Sequence, residues 1–347
     1  MKKTSLSFAT LLLMLGATNT SAIEVAKHLS TIVEPKPIKR IQAKYPINAA
    51  RNKREGWAKI SFIIEKDGSV SNVIANETSG SLDFTKAAKK AVRQWKYQPA
   101  MENGEAIQQC VNSVRMNFSM GDNGTAGVSR KFKKKYAIAT EALAEKDYAR
   151  VELLLNEMQG IKHRHLSENN FMHTLAAEYA EAINNKEQQL FHLNQIHFHA
   201  TNASEQHKLI VLNKRFQLAV GLNKFKLAYF TFNQLKKLDI AKPYMKKYEE
   251  VIASVETFIA GEQDIIVAAS IKEKDYWSYR LVRNEFTLAD VTGSLNKLDL
   301  RCANKRHVYT VENNNTWTIP KSWKNCSLYV YGEDNSSFKL VEHPIKS

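Results

Sequence analysis

The sequence predicts a multidomain α+β protein of three unlike regions. These are a helix and three-stranded-sheet module over residues 35–120, an all-α helical-repeat region over 130–260, and a small all-β sandwich-like unit over 264–343. Three observations lead there. Apolar residues alternate with polar ones over 58–64 and 110–120, but recur every three to four positions over 84–95. Long helical patterns then run from 130 to 260 with a single proline, Pro243. After 264 the pattern shortens to alternating runs broken by Gly, Asn and Pro, the mark of an all-β unit. Residues 121–129 read as a linker, because Gly121, Gly124 and Gly127 make the stretch permissive.

The N-terminus reads as an export signal over residues 1–22. Lys2 and Lys3 supply positive charge, Leu6 to Ala17 forms a short apolar run, and Thr20-Ser21-Ala22 offers small residues for cleavage. The run is shorter than the ~20 residues a spanning helix needs, so no stable membrane span is expected. The alternative is an uncleaved signal that anchors the chain to the inner membrane. Export places the protein in the periplasm and makes nucleic acid a poor partner, despite a formal charge of +15 over 347 residues. It also permits disulfides. Of the three cysteines, Cys302 and Cys326 lie in one C-terminal segment and are natural partners, whereas Cys110 falls on the apolar side of a strand pattern.

Within the first module, Pro46 suits a first helical turn and Gly56 a helix end, so Tyr45 to Glu55 is expected as a short helix. Ala58, Ile60, Phe62 and Ile64 then alternate as a half-buried strand, Lys66-Asp67-Gly68 turns the chain, and Val70 to Ala75 returns. Ser81 is placed to cap a second helix, whose apolar stripe is Phe84, Ala87, Ala88, Ala91, Val92 and Trp95. Pro99 stops continuation. Cys110, Val114, Met116 and Phe118 alternate with Val111, Ser113, Arg115 and Asn117 in a third strand with one dry face. A sheet this small has two edges, each with unpaired N–H and C=O groups.

This stretch resembles the TonB C-terminal domain family. The landmarks are Tyr45-Pro46, Gly56, Asp67-Gly68 and Val70, Trp95 to Ala100 with Pro99, Gly104, and the closing Val114 to Phe118, in order and at family spacing. The resemblance implies a protein that binds an extended partner segment by strand addition. It implies envelope partners, TonB-dependent outer-membrane receptors among them. The edge it points to is the third strand, about Ala106 to Phe118, with Gln109, Val111, Ser113, Arg115 and Asn117 as partner-binding residues and Gln42 just before Tyr45-Pro46. Energy transducers of this family carry a long anchor with a histidine and a proline-rich spacer. Here the apolar run lacks histidine and the spacer is only Glu34-Pro35-Lys36-Pro37, so direct ExbB–ExbD coupling is not expected.

In the middle region, turn-like stretches at 145, 184 and 222 each lead into an apolar helix, at intervals of 39 and 38 residues. This looks like a tetratricopeptide-like array able to dock a protein. The histidines of this region are scattered; His192 and His199, seven apart, could share a helical face, but no carboxylate–histidine motif of a metal site accompanies them. No nucleophile–base set or phosphate-cradling loop stands out. No catalytic residue, cofactor or metal is therefore assigned, and a non-enzymatic binding protein tied to outer-membrane transport is expected. The alternative is a periplasmic scaffold acting through its helical repeats without energy transduction.

Overall fold

The computed structural model describes residues 32–79, 82–120, 128–161, 165–198, 203–272, 274–311 and 315–344. The export segment 1–22, Ser81 and the glycine-rich 121–127 lie outside the described residues.

Two short strands, β1 (Ile32–Val33) and β2 (Lys36–Lys39), precede helix α1 (Ile47–Arg51). Then come β3 (Gly56–Ile64), β4 (Val70–Thr78), α2 (Leu82–Val92), β5 (Lys96–Gln98), β6 (Ala100–Glu102), β7 (Glu105–Ile107) and β8 (Gln109–Phe118). The main sheet is antiparallel, in the order β4-β3-β8. Gly68 turns the β3–β4 hairpin at φ +75, and any Cβ there would strike the backbone of Tyr97. Phe84, Ala88 and Val92 of α2 are buried on Ala58, Ile60, Phe62 and Ile64 of β3, as the helical stripe and the strand alternation require.

Three expectations for this module need correction. The first helix spans Ile47–Arg51 rather than 45–55: Pro46 is its N-cap, and Gly56 opens β3. A side chain at position 56 would press within 2.6 Å of the Phe84 ring. The third strand begins at Gln109, not Ala106, because Asn103 and Gly104 turn back with positive φ and pair β7 with β6. Third, β3 is not half-buried. Trp57, Ser61 and Ile63, on its second face, are also buried.

The helical region comprises α3 (Arg130–Ala144), α4 (Tyr148–Gln159), α5 (Leu166–Ala182), α6 (Lys186–Gln195), α7 (Glu205–Gly221) and α8 (Phe225–Leu235). A 3₁₀ turn, Asp239–Tyr244, leads into α9 (Met245–Ala260). Three helix hairpins close on the same turn. Lys146, Asn184 and Asn223 sit in the left-handed region at φ 60, 56 and 56. The N–H of the following residue reaches back to the carbonyls of Ala142, Ala180 and Ala219 at 2.9, 2.8 and 2.8 Å. This is Schellman-type capping, which asparagine tolerates well.

The last region holds β9 (Ile265–Ser270), β10 (Tyr276–Arg280), β11 (Glu285–Thr292), β12 (Leu295–Arg301), β13 (Arg306–Thr310), β14 (Thr316–Thr318), β15 (Ser327–Gly332) and β16 (Ser337–Glu342). They form two four-stranded antiparallel sheets, β10-β15-β12-β13 and β14-β11-β16-β9, around one core that includes Phe286, Leu288, Leu298, Leu328 and Leu340. A disulfide joins Cys302 to Cys326. Arg283 ties this unit to the end of α9, donating to the carbonyls of Phe258, Ile259 and Gly261.

Both neighbouring regions close over the second face of β3. The Trp57 ring lies 4.3 Å from the His197 ring beyond α6, and Ser61 Oγ meets the Tyr329 hydroxyl of β15 at 3.4 Å. Glu55 accepts the N–H groups of Met120 and of Leu166, which starts α5. Arg301 of β12 donates to Asn72 of β4 at 2.8 Å. Among the described residues no helix is long and apolar enough to cross a membrane.

Candidate functional site

The main sheet has two margins, and the fold treats them differently. On the β4 side, the Tyr276 hydroxyl donates to the carbonyl of Ala75 at 2.9 Å and the Lys274 ammonium to that of Asn76. Asn76 also donates its side-chain amide to the Tyr329 hydroxyl at 3.4 Å. The C-terminal sandwich thus occupies the β4 margin. On the other side β8 pairs with β3, and among the described residues no strand lies beyond it.

Which groups β8 presents follows from β3. The Trp57 N–H donates to Ser79 Oγ and its carbonyl accepts the Ser79 N–H, both at 3.0 Å, so the Trp57 backbone faces β4. N–H and C=O directions alternate along a strand, so Gly56, Ala58 and Ile60 face β8. Their partners Phe118, Met116 and Val114 bond back to them. The intervening Ser113, Arg115 and Asn117 therefore aim their backbone groups away from the sheet. Five residues of such edge extend roughly 17 Å.

Below this stretch the edge changes. A bulge between the Phe62 and Ile64 pairings bends β8, with the Asn112 side chain donating to the Gln109 carbonyl. Gln109 is buried, and its amide bonds Glu34. The Gln109 side chain thus fastens the N-terminal segment to β8. Of Val111, only its place in β8 is described. Cys110 is buried as a thiol, and burial pushes its pKa up to about 12.

Side chains on the open stretch are unlike one another. Ser113 and Asn117 are exposed. Arg115 between them folds inward, its guanidinium 4.5 Å over the Trp57 ring, and burial draws its pKa down to about 10. Gln42 is exposed in an extended segment whose alternate residues Ile41, Ala43 and Tyr45 pack on the core. Tyr45 contacts Phe84 and Phe118 edge-on and donates to the Arg54 carbonyl at 2.6 Å, and burial lifts its hydroxyl pKa to about 12. Trp95 donates to the Ile41 carbonyl at 2.8 Å, and Pro99 stands between β5 and β6. Tyr45 and Trp95 hold the Gln42 segment in place, and none of the three landmarks lies on the open stretch of edge.

The residues that close the β4 margin and the second face, Lys274, Tyr276, Tyr329, Trp57 and His197, do not emerge from motif reading. One local signal existed: Trp57 and Ile63 are large apolar residues at strand positions that alternation assigns to water. Among the described residues no group of three or more His, Cys, Asp or Glu side chains is arranged to hold a metal ion.

Residues 41–120 match the family described as Gram-negative bacterial TonB protein C-terminal. Two curated relatives, each called Protein TonB, come from Escherichia coli (strain K12) and Klebsiella pneumoniae. They are 34% identical over 65 residues and 29% identical over 86 residues. The matched stretches are 19% and 24% of this chain and only 27% and 35% of those relatives. Among solved structures, the solution structure of Pseudomonas aeruginosa TonB CTD is 23% identical, covering 26% of this chain and 89% of that one, with a TM-score of 0.23. A TonB2 protein from Vibrio anguillarum is 22% identical, covering 35% and 100%, with a TM-score of 0.22.

Proposed function

We propose that this chain is a non-enzymatic, TonB-like protein of the periplasm that takes up an extended segment of an envelope partner as an added strand along β8, in connection with outer-membrane transport. One observation carries the reading. Within the stretch that matches the TonB C-terminal family, Ser113, Arg115 and Asn117 turn their backbone groups outward on the sheet margin that the sandwich leaves free. Strand addition draws affinity from such groups, each hydrogen bond contributing about 0.5–1.5 kcal/mol net. A TonB-dependent outer-membrane receptor is the partner class this reading names. The test is titration of the folded protein with extended peptides from such receptors, followed by amide exchange. Binding should slow exchange at the N–H groups of Ser113, Arg115 and Asn117. Binding that protects β4 instead, or no binding at all, sinks the reading.

A second reading, an adaptor acting through tetratricopeptide-like repeats, has its own observation. Leu153, Phe191 and Phe230 each stand seven residues after the left-handed turn residue of their hairpin and are 59%, 53% and 54% exposed. Large apolar side chains repeated in register on a surface mark a contact face. Serine at all three positions should abolish partner capture in this reading and leave β8 peptide binding intact.

A further inference from the structure

Where the β8 edge meets the helical region, several buried side-chain nitrogens have no hydrogen-bond partner among the described residues. Arg115 Nε and one of its terminal nitrogens are buried with no partner, as is Trp57 Nε1 beneath them. His197 packs on Trp57, and its Nε2 is also unpartnered. Beyond it Arg215, 6% exposed, spends one terminal nitrogen on the carbonyls of Leu193 and Ile196 and leaves Nε unused. The Arg115 guanidinium thus lies over an indole that packs on the His197 imidazole, and the charge of Arg215 reaches that imidazole as well. The carboxylate whose charge acts on both arginines, Glu77, is itself bonded to Lys59 at 2.9 Å. Buried donors are nearly always satisfied in folded proteins, and a site offering donors and positive charge suits an anion. Burial, together with the positive charges of Arg115 and Arg215, holds His197 neutral, so the surplus charge is that of the arginines.

We infer that this cluster reads an acidic side chain on the incoming strand: a Glu or Asp placed across from Arg115. The inference rests on the strand-addition reading above. In an added antiparallel strand, the residue opposite Arg115 projects its side chain on the same sheet face, with Cβ atoms ~5 Å apart. Exposed Ser113 and Asn117 leave that face open on either side of it. A carboxylate arriving there meets the Arg115 guanidinium from the edge and offers acceptors to its unpartnered nitrogens. Residues of other chemistry at the same place leave those donors unsatisfied, so the site discriminates by charge at one strand position while the backbone edge stays indifferent to sequence.

The test uses the full protein and a nine-residue peptide of alternating Thr and Val, in which one Glu, or one Gln as control, is moved through every position. At one register the Glu peptide should bind at least about tenfold more tightly than its Gln counterpart. That preference should vanish in Arg115→Met and survive in part in Arg115→Lys. In the unmodified protein the assigned Trp57 indole N–H resonance should shift with the Glu peptide and stay put with the Gln peptide, so the test does not hinge on a variant that folds. Equal binding of Glu and Gln peptides at every position overturns this inference and leaves the β8 reading standing. A Glu preference unchanged in Arg115→Met also overturns it, because the charge is then read elsewhere. Failure of every peptide to bind overturns the strand-addition reading and takes this inference with it.

Discussion

Replacing Ser113 with proline tests the edge directly. The ring removes one N–H and fixes φ near −65°, and prolines are tolerated in sheets only where that N–H faces away from the ladder. Ser113 is such a place, because the β8 bonds to β3 run through Val114, Met116 and Phe118. The folded protein should therefore lose little, because Ser113 is exposed. Binding should suffer, since one strand-to-strand hydrogen bond disappears, about 0.5–1.5 kcal/mol net. Where the peptide carbonyl is shut away from water, the loss rises to about 1–3 kcal/mol. At 1.4 kcal/mol per tenfold, the weakening runs from roughly twofold to a hundredfold. Val114→Pro is the internal control. It deletes a bond to Ile60 inside the sheet, so it should lower the unfolding midpoint sharply, whereas Ser113→Pro should not. Calorimetric titration and thermal melts of both variants give the answer. Unaltered peptide affinity in a folded Ser113→Pro protein, or a melt as damaged as that of Val114→Pro, would refute the assignment of outward-facing groups.

Three further outcomes are expected. Tyr276→Phe removes the bond to the Ala75 carbonyl and should cost about 0.5–1.5 kcal/mol in urea unfolding, with β8 peptide affinity unchanged. Burial pushes the Asp299 carboxyl up, but hydrogen bonds from Arg306 and Arg301 and their charges outweigh this and hold it below its ordinary value of 3.8. A depressed folded-state value means that its contribution is complete above that ordinary range and fades as pH falls through the folded value. Asp299→Asn strands the buried Arg301 and should cost about 3–5 kcal/mol at pH 7, with a smaller gap to the parent protein in strong acid. Reducing the Cys302–Cys326 disulfide, which spans 24 positions, should lower stability by about 3 kcal/mol, seen as a lower denaturant midpoint with dithiothreitol.

Much of the first module was legible because its signals are local. Alternation along β3, the α2 stripe and the Gly68 turn each lie within a dozen residues, and steric rules alone turn them into strand, helix and hairpin. The turns of the helical hairpins were legible for the same reason: Asn184 and Asn223 end their helices by a conformation asparagine adopts cheaply. The strands β1, β2, β5, β6 and β7 were not, since two to four residues are too few for a period to show. The last residues of helix α1 and the first of β8 were misplaced where a turn shortened the element.

By itself the sequence determined the kinds of element, the antiparallel character of the hairpin, the pairing of Cys302 with Cys326 and the likeness of 41–120 to the TonB C-terminal family. Only the tertiary structure showed that the β4 margin is covered. The sandwich that covers β4 does so through Lys274, Tyr276 and Tyr329, some two hundred positions or more from the strand they seal. The stack of Arg115 on Trp57 and of Trp57 on His197 likewise joins β8 and β3 to the helical region. Such contacts carry no local period or propensity; they exist because the second face of β3 is apolar enough to attract a cover, and shape complementarity between whole regions selects which cover fits.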